Sequence, residues 1–491
     1  MNMANSNAAG NRAGPNRRTF LTGLGSGLAG VALTAMLHRD GVVCAAPKSS
    51  PLDYPPKTKS VIWLFMVGGA SHLETFDPKP ALVKFGGKQI GKTPFQHVLT
   101  NPTVKENLRE FVPDRKLHQT IFEPQVAFRK RGQSGIEVSD WLPNIGASID
   151  DIAVIRSMWT TDNDHGAQLQ FHTGRHALEG YFPTIGAWVD YGLGSLNDDL
   201  PQFVVMGRPI ADCCGGMGAH GADYLGPEHA GVQLKADPKN ALPFGGPGPD
   251  TFEQEQRNQF RLLNKLNRLA AAEHLHDAAL QARIKSYELA FRMQTAVPDV
   301  FRFNEEAAET QELYGLDSSA TQPMGQQCLA ARRLIERGVR FVQIFHGSSG
   351  GAGSWDAHSN LKSGHTTMCG QIDKPIGGLL KDLKRRGLLD ETIVVWGTEF
   401  GRTPGVEGAR GGRDHHPFGF SVWMAGGGIQ SGTVHGATDE LGFHAVESRH
   451  YVTDIHATVL TLLGLDPRKM ILPGRPRLDK DFGHPIEEIM A

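Results

Sequence analysis

The chain has 491 residues, 40% hydrophobic and 21% charged, with a formal net charge of -2. That is the composition of a globular protein with room for a large core. It lacks the basic excess that nucleic-acid phosphates require of a partner, and it has no charge-driven affinity for a membrane surface.

At the amino end, Asn16-Arg17-Arg18-Thr19-Phe20-Leu21 precedes a weakly apolar, Gly-rich stretch to Leu37 and then the small residues Val43-Cys44-Ala45-Ala46. A twin arginine before a moderately hydrophobic segment resembles a bacterial twin-arginine export signal. Residues 1–46 are therefore read as a signal peptide, cleaved after Ala45 or Ala46, with no stable membrane span left after its removal. Residues 47–59, rich in Pro and Lys, read as a linker, and 60–491 as one α/β domain. Beyond the signal stand Cys213, Cys214, Cys328 and Cys369, with no CxxC pair, which excludes a zinc knuckle. Buried free thiols are expected there, with room for one long-range disulfide.

The first strand is expected at Val61 to Val67, breaking into Gly68-Gly69 and then His72, Glu74 and Asp77. Ile152 to Met158 repeats the pattern, followed by Asp162, Asn163, Asp164 and His165 and a helical stretch closing at Thr173-Gly174. Leu200 to Met206 reads as a further strand, and 207–250 as an irregular Gly- and Pro-rich excursion. Residues 251–297 carry leucines and alanines at helical spacing and are read, within 251–335, as helical cover for a sheet. Cys328 to Gly338 is a helix, Val339 to Phe345 a strand leading to Trp355-Asp356-Ala357-His358, and Ile372 to Arg386 a helix. The uninterrupted apolar run Thr392 to Trp396 reads as a strand buried on both faces. Phe420 to Ala425 is another strand, and Val452 to Leu465 a helix whose Asp454 stands near a capping position. Strands alternating with helices indicate a doubly wound α/β fold with a mostly parallel sheet.

In such folds ligands bind beyond the carboxyl ends of the strands, and those ends hold the acids and imidazoles. Carboxylate oxygen and neutral imidazole nitrogen are the usual ligands of divalent metals. Asp356 and His358 suit a metal, or form an Asx-type turn beside a surface histidine. Glu399 is a ligand or the partner of Arg402, whose guanidinium matches a sulfate, phosphate or carboxylate. Asp414, His415 and His416 follow in a Gly-rich loop, with one of the two histidines expected to reach the site. His72, His165 and His172 rank lower. The WDAH loop, the EFGR turn and the DHH loop are expected to converge at one rim of the sheet.

MVGGASHLETFDPKP, SDWLPNIGASIDDIAVIRSMWT, PTIGAWVDYGLG, GVRFVQIFHG, WDAHSNL, QIDKPIGGLLKDLKRRGLLDETIVVWGTEFGRTP, GRDHHPFGFSVWMAGGG and DIHATVLTLLGLD together resemble the domain-of-unknown-function family 1501. Its members look like exported relatives of the sulfatase and alkaline phosphatase superfamily. The resemblance implies a central, mostly parallel sheet between helices and a metal site at the strand ends acting on phosphate or sulfate esters. Glu399 matches the acid after the strand, although Phe400 stands where a histidine follows. Asp356 and His358 look like the upstream acid-histidine pair, and His415 or His416 like the later histidine. After the first strand Gly68, Gly69 and Ala70 replace an acid, leaving His72 or Glu74 to substitute. The nucleophile slot falls on Asn163, Asp164 and His165, with Thr160 and Thr161 offset, and the sulfatase cysteine motif is missing.

The reading that follows is an exported metal-dependent hydrolase of phosphate or sulfate esters. Asp356, His358, Glu399, Asp414, His415, His416 and His72 are its metal candidates, and Arg402, His165 and Asp164 its catalytic ones. Zinc, manganese or calcium is the expected ion, metal-bound water the expected nucleophile, and a small anionic ester or a polysaccharide the expected substrate. The alternative is a non-catalytic cell-envelope protein that keeps the fold.

Overall fold

The computed structural model describes residues 52–100, 117–209, 214–242, 252–273, 278–348, 352–470, 472 and 482–491. The expected signal peptide, the first part of the linker and Cys213 lie outside the described residues.

Strands β1 (Ser60–Met66), β2 (Ile152–Trp159), β3 (Phe203–Met206), β4 (Val232–Leu234), β5 (Phe341–His346), β6 (Thr392–Gly397), β7 (Phe420–Ala425), β8 (Thr433–His435) and β9 (His450–Tyr451) form one nine-stranded sheet. Its order is β8-β2-β7-β6-β1-β5-β3-β4, with β9 also on β2. All neighbours pair parallel except β7, which runs antiparallel to both β2 and β6.

β1 is buried along its whole length, and strand alternation divides its side chains between two cores. Ile62, Leu64 and Met66 pack on the face covered by α4 (Ala278–Val300), α5 (Gln322–Glu336) and α6 (Leu361–Arg385). Val61, Trp63 and Phe65 face α1 (Ala167–Thr173), α2 (Ile185–Leu193) and α7 (Val452–Leu462). Each such side chain contributes about 1.5–3 kcal/mol through its removal from water, so the two-sided burial accounts for the unbroken apolar runs.

The 251–297 pattern forms two helices, α3 (Glu253–Glu273) and α4. Among the described residues, α4 reaches the core through Met293, Val297 and Val300, while Leu262, Leu266 and Leu269 of α3 are exposed. α6 begins at Leu361, well before the expected Ile372, and runs through Pro375. Cys328 and Cys369 are buried free thiols, and Cys214 is partly buried. Among the described residues no helix is long and apolar enough to cross a membrane.

The topology explains why distant motifs meet. β1, β2, β5 and β6 run in the same direction, so Gly68, Asp162–His165, the loop after His346 and Thr398–Arg402 emerge at one edge. β7 runs the other way, which brings the segment before it, Asp414–His416, to that same edge.

Candidate metal centre

Asp356 stands in the loop after β5, held where Trp355 N donates to Val67 O at 3.2 Å. Its Oδ1 accepts from Arg402 Nη2 at 2.8 Å and lies 3.1 Å from His415 Nε2 and 3.2 Å from His358 Nε2. The two imidazole nitrogens are themselves 3.0 Å apart. On the far side of each ring the tautomer is fixed by an acceptor: His415 Nδ1 donates to Asn163 O at 2.9 Å, and His358 Nδ1 to Glu407 Oε2 at 2.6 Å. In their neutral forms both rings therefore present a lone pair to the Asp356 carboxylate. Burial, and after it the charge of Arg402, holds His415 well below the usual imidazole range. Burial opposes the charge on Asp356, but the hydrogen bond from His165 and the field of Arg402 hold it well below the usual carboxylate range.

Asp164 and His165, from the segment leading into α1, complete the rim. Ligand atoms of Asp164, His165 and His415 lie within 4.8 Å of one another, as do those of Asp356, His358 and His415. His165 Nδ1 donates to Glu399 Oε1 at 3.1 Å, and its Nε2 is 3.5 Å from Asp356 Oδ2. Burial disfavours its charge, yet the hydrogen bonds to Asp356 and Glu399 outweigh it and lift the imidazole to about 9. Two carboxylates converging on one buried imidazole favour positive charge at this spot.

Glu399 is fully buried and also accepts from Gly68 N at 2.9 Å. Its carboxylate thus supplies charge at the end of β1, where the chain itself has glycine. Gly68 admits no side chain: its φ is +119°, and a Cβ would stand 2.6 Å from Asp356 N. Asp414 Oδ1 accepts from His415 N at 2.8 Å and lies 3.8 Å from His358 Nδ1, so it supports the loop that carries His415.

The remaining expected residues lie apart. His415–His416 pairs antiparallel with Gly401–Arg402, and adjacent strand residues point to opposite sides. His416 accordingly faces away, stacked on Phe443 with ring centroids 4.1 Å apart. His72 donates to Gly442 O at 2.8 Å and accepts from Arg402 N at 3.4 Å, so both ring nitrogens are engaged. Arg402 is not aimed at solvent. It is fully buried, with Nε on Gly69 O, Nη1 on Arg413 O and Nη2 on Gly68 O and Asp356, so it orients the carboxylate instead of clamping an anion. Glu74 is engaged by Arg413 at 2.7 Å, both side chains being fully buried.

His172 sits among Trp63, Phe65, Phe171 and Phe345, and burial drives it down to about 3, the mark of a core histidine. Thr160 Oγ1 donates to Gln170 Oε1 at 2.6 Å, and Thr161 Oγ1 accepts from Gln170 Nε2 at 2.7 Å, which turns both hydroxyls toward α1. Glu407 was not legible as part of the site. It falls in the loop between the EFGR and DHH motifs, and only the fold brings it to His358.

The fold and this cluster define an α/β protein with a histidine-carboxylate centre at the carboxyl edge of its sheet. The family described as "Protein of unknown function (DUF1501)" matches residues 58–490, and the chain belongs to it. Among curated proteins none matches. Solved structures that align with it include the PsFucS1 sulfatase from Pseudoalteromonas sp., at 13% identity and TM-score 0.34 over 90% of this chain and 72% of that one. The alkaline phosphatase of the Antarctic bacterium TAB5 aligns at 11% identity and TM-score 0.34, over 85% of this chain and 100% of that one. The phosphonate monoester hydrolase SpPMH from Silicibacter pomeroyi aligns at 10% identity and TM-score 0.33, over 71% of each chain.

Proposed function

We propose that this chain is an exported, metal-dependent hydrolase of phosphate or sulfate esters, working at the rim built by Asp356, His358 and His415. One observation carries the metal: three electron-rich atoms, His358 Nε2, His415 Nε2 and Asp356 Oδ1, lie 3.0–3.2 Å from one another while both rings direct their Nδ1 hydrogens elsewhere. Lone pairs so arranged repel unless a cation or a captured proton lies between them. Ligands around a tetrahedral zinc with bonds of about 2.0–2.1 Å sit roughly 3.3 Å apart, a spacing these side chains reach by moving a few tenths of an ångström. A divalent ion here supplies Lewis-acid polarisation of an ester oxygen and ionises water near neutral pH.

Around it the chain's own groups have distinct tasks. Arg402 fixes Asp356, and Glu407 fixes His358. His165 holds a proton between Glu399 and Asp356 and is the general acid in this reading, with Asp164 beside it. The choice of phosphate or sulfate esters, small or polymeric, follows the sequence resemblance, and export follows Arg17-Arg18. Residues 60–491 act as one domain on this reading.

A second reading, a non-catalytic envelope protein that keeps the fold, is favoured by one feature: the hydroxyls of Thr160 and Thr161 are tied to Gln170 and none stands in the nucleophile slot. The test is elemental analysis of the purified protein with and without His358→Ala/His415→Ala, followed by a screen of phosphate monoesters, phosphate diesters and sulfate esters. Stoichiometric metal lost in the variant, with turnover of one ester class, supports the enzyme. Metal without turnover supports the second reading, and a well-folded metal-free protein overturns the enzyme.

A further inference from the structure

Away from this rim, on the outer side of β2, a second group of ligand atoms converges that the motifs did not single out. β8 and β9 both pair parallel with β2, His435 opposite Ile155 and His450 opposite Met158. The two rings face each other with centroids 5.0 Å apart, and their Nε2 atoms are separated by 2.8 Å. His450 Nδ1 lies 2.9 Å from Asp454 Oδ2 in the first turn of α7. A carboxylate takes only a donor, so the ring presents Nε2 outward with its lone pair, the arrangement by which carboxylates orient metal-binding histidines. The third group is Glu488, whose Oε2 lies 4.0 Å from His435 Nε2, and the three ligand atoms fall within 4.8 Å of one another.

Glu488 is not a stray surface acid. Its segment is fixed by Gln430 N donating to Ile489 O at 2.7 Å and Ala491 N to Gly428 O at 2.8 Å. The other oxygen of Asp454 accepts from His484 N at 2.9 Å, so one carboxylate orients a ligand and holds the segment that brings another. Both imidazoles are mostly buried, whereas Glu488 is exposed.

We propose that His435, His450 and Glu488 form a second divalent transition-metal site, of the zinc class, that pins segment 484–491 to the sheet. Two imidazoles and one carboxylate make a borderline donor set that suits zinc or copper(II) and disfavours calcium and magnesium, which take oxygen ligands. The nitrogens need to part by only about half an ångström to reach the ligand spacing of a tetrahedral zinc. Without metal, the 2.8 Å contact is a hydrogen bond through one proton, which zinc displaces.

The experiment uses the full chain carrying His358→Ala and His415→Ala, so that the rim cannot contribute, stripped with a chelator and dialysed against zinc alone. One equivalent per chain is expected, lost on adding His435→Ala or His450→Ala and weakened on adding Glu488→Gln. Hydrogen exchange of the amides in 484–491 should slow on adding zinc, and not do so in His435→Ala. If the rim variant does not fold, the unsubstituted chain is used, and two equivalents falling to one in His435→Gln is the expected result. No equivalent at this site, an equivalent that survives loss of His435, or bound zinc without slowed exchange overturns the proposal. None of these results bears on ester hydrolysis at the rim.

Discussion

His358 and Glu407 form the shortest link between the rim and the loop beneath it, Nδ1 to Oε2 at 2.6 Å. The carboxylate fixes the tautomer that leaves His358 Nε2 free for a metal. Removing such an outer partner usually costs 10–100-fold in affinity. Glu407→Gln, whose amide can still meet the ring, should weaken metal binding by about that factor while leaving circular dichroism unchanged. Chelator competition on wild type and variant measures it. Equal affinities would show that His358 is not held in place by this bond.

Arg402 and Asp356 make a second expectation, because a clamp for substrate and a buried structural cation fail differently. Every nitrogen of the guanidinium donates inward, to Gly69 O, Gly68 O, Arg413 O or Asp356. Arg402→Leu leaves that carboxylate and those carbonyls without their donor, a loss of about 3–5 kcal/mol for a broken buried pair. Urea unfolding should show the loss, and Arg402→Leu/Asp356→Leu should recover part of it. A rise in KM at unchanged stability would instead restore the anion clamp.

These two residues show where the sequence was legible and where it was not. The strands were readable because burial on both faces leaves uninterrupted apolar runs, as in Val61 to Val67 and Thr392 to Trp396. The meeting of Asp356, Glu399 and His415 was readable because strand ends share an edge. The direction of each side chain was not. Whether His415 or His416 faces the rim depends on the register of a two-residue ladder, and whether Arg402 points outward depends on carbonyls from three loops. α6 starts at Leu361, earlier than its periodicity suggests, because Lys362, Ser363 and Thr366 of its first turns face water. Glu407 and the pair His435 and His450 carry no local pattern at all; long-range pairing alone brings them to their partners.

Buried neutral histidines set the response to acid. Burial holds His365 and His456 at about 4 and His172 at about 3. His365 Nε2 accepts from Ser71 N at 3.0 Å, which a proton on that nitrogen would abolish. The folded pKa values lie below the unfolded value of about 6.5, so the unfolded chain binds more protons in acid. Stability from this source is complete above about pH 6.5 and is lost as the pH falls toward 4, each group contributing up to about 1.4 kcal/mol per pH unit. Urea midpoints of chelator-treated protein at pH 8, 6 and 5 should fall in that order. The fall should be shallower in His456→Gln, which keeps a donor for Phe171 O.

Gly68 joins backbone geometry to the metal centre, and its replacement should disturb both. With φ at +119° and backbone atoms of Trp355 and Asp356 at 2.6–3.0 Å from a would-be Cβ, an alanine here is strained and pushes the very loop that carries Asp356. Those neighbours are main chain and cannot rotate aside, so relief comes by moving the backbone of Trp355 and Asp356. Gly68→Ala should therefore cost more than about 1 kcal/mol and weaken metal binding together with stability. Gly364→Ala is the control: it lies in α6, with nothing within 4 Å of its Cβ, and should stabilise by about 0.5–1 kcal/mol without touching metal affinity. Denaturation and metal titration on the two variants read both effects, and a Gly68→Ala protein with wild-type affinity would mean that the loop holding Asp356 yields without moving its carboxylate.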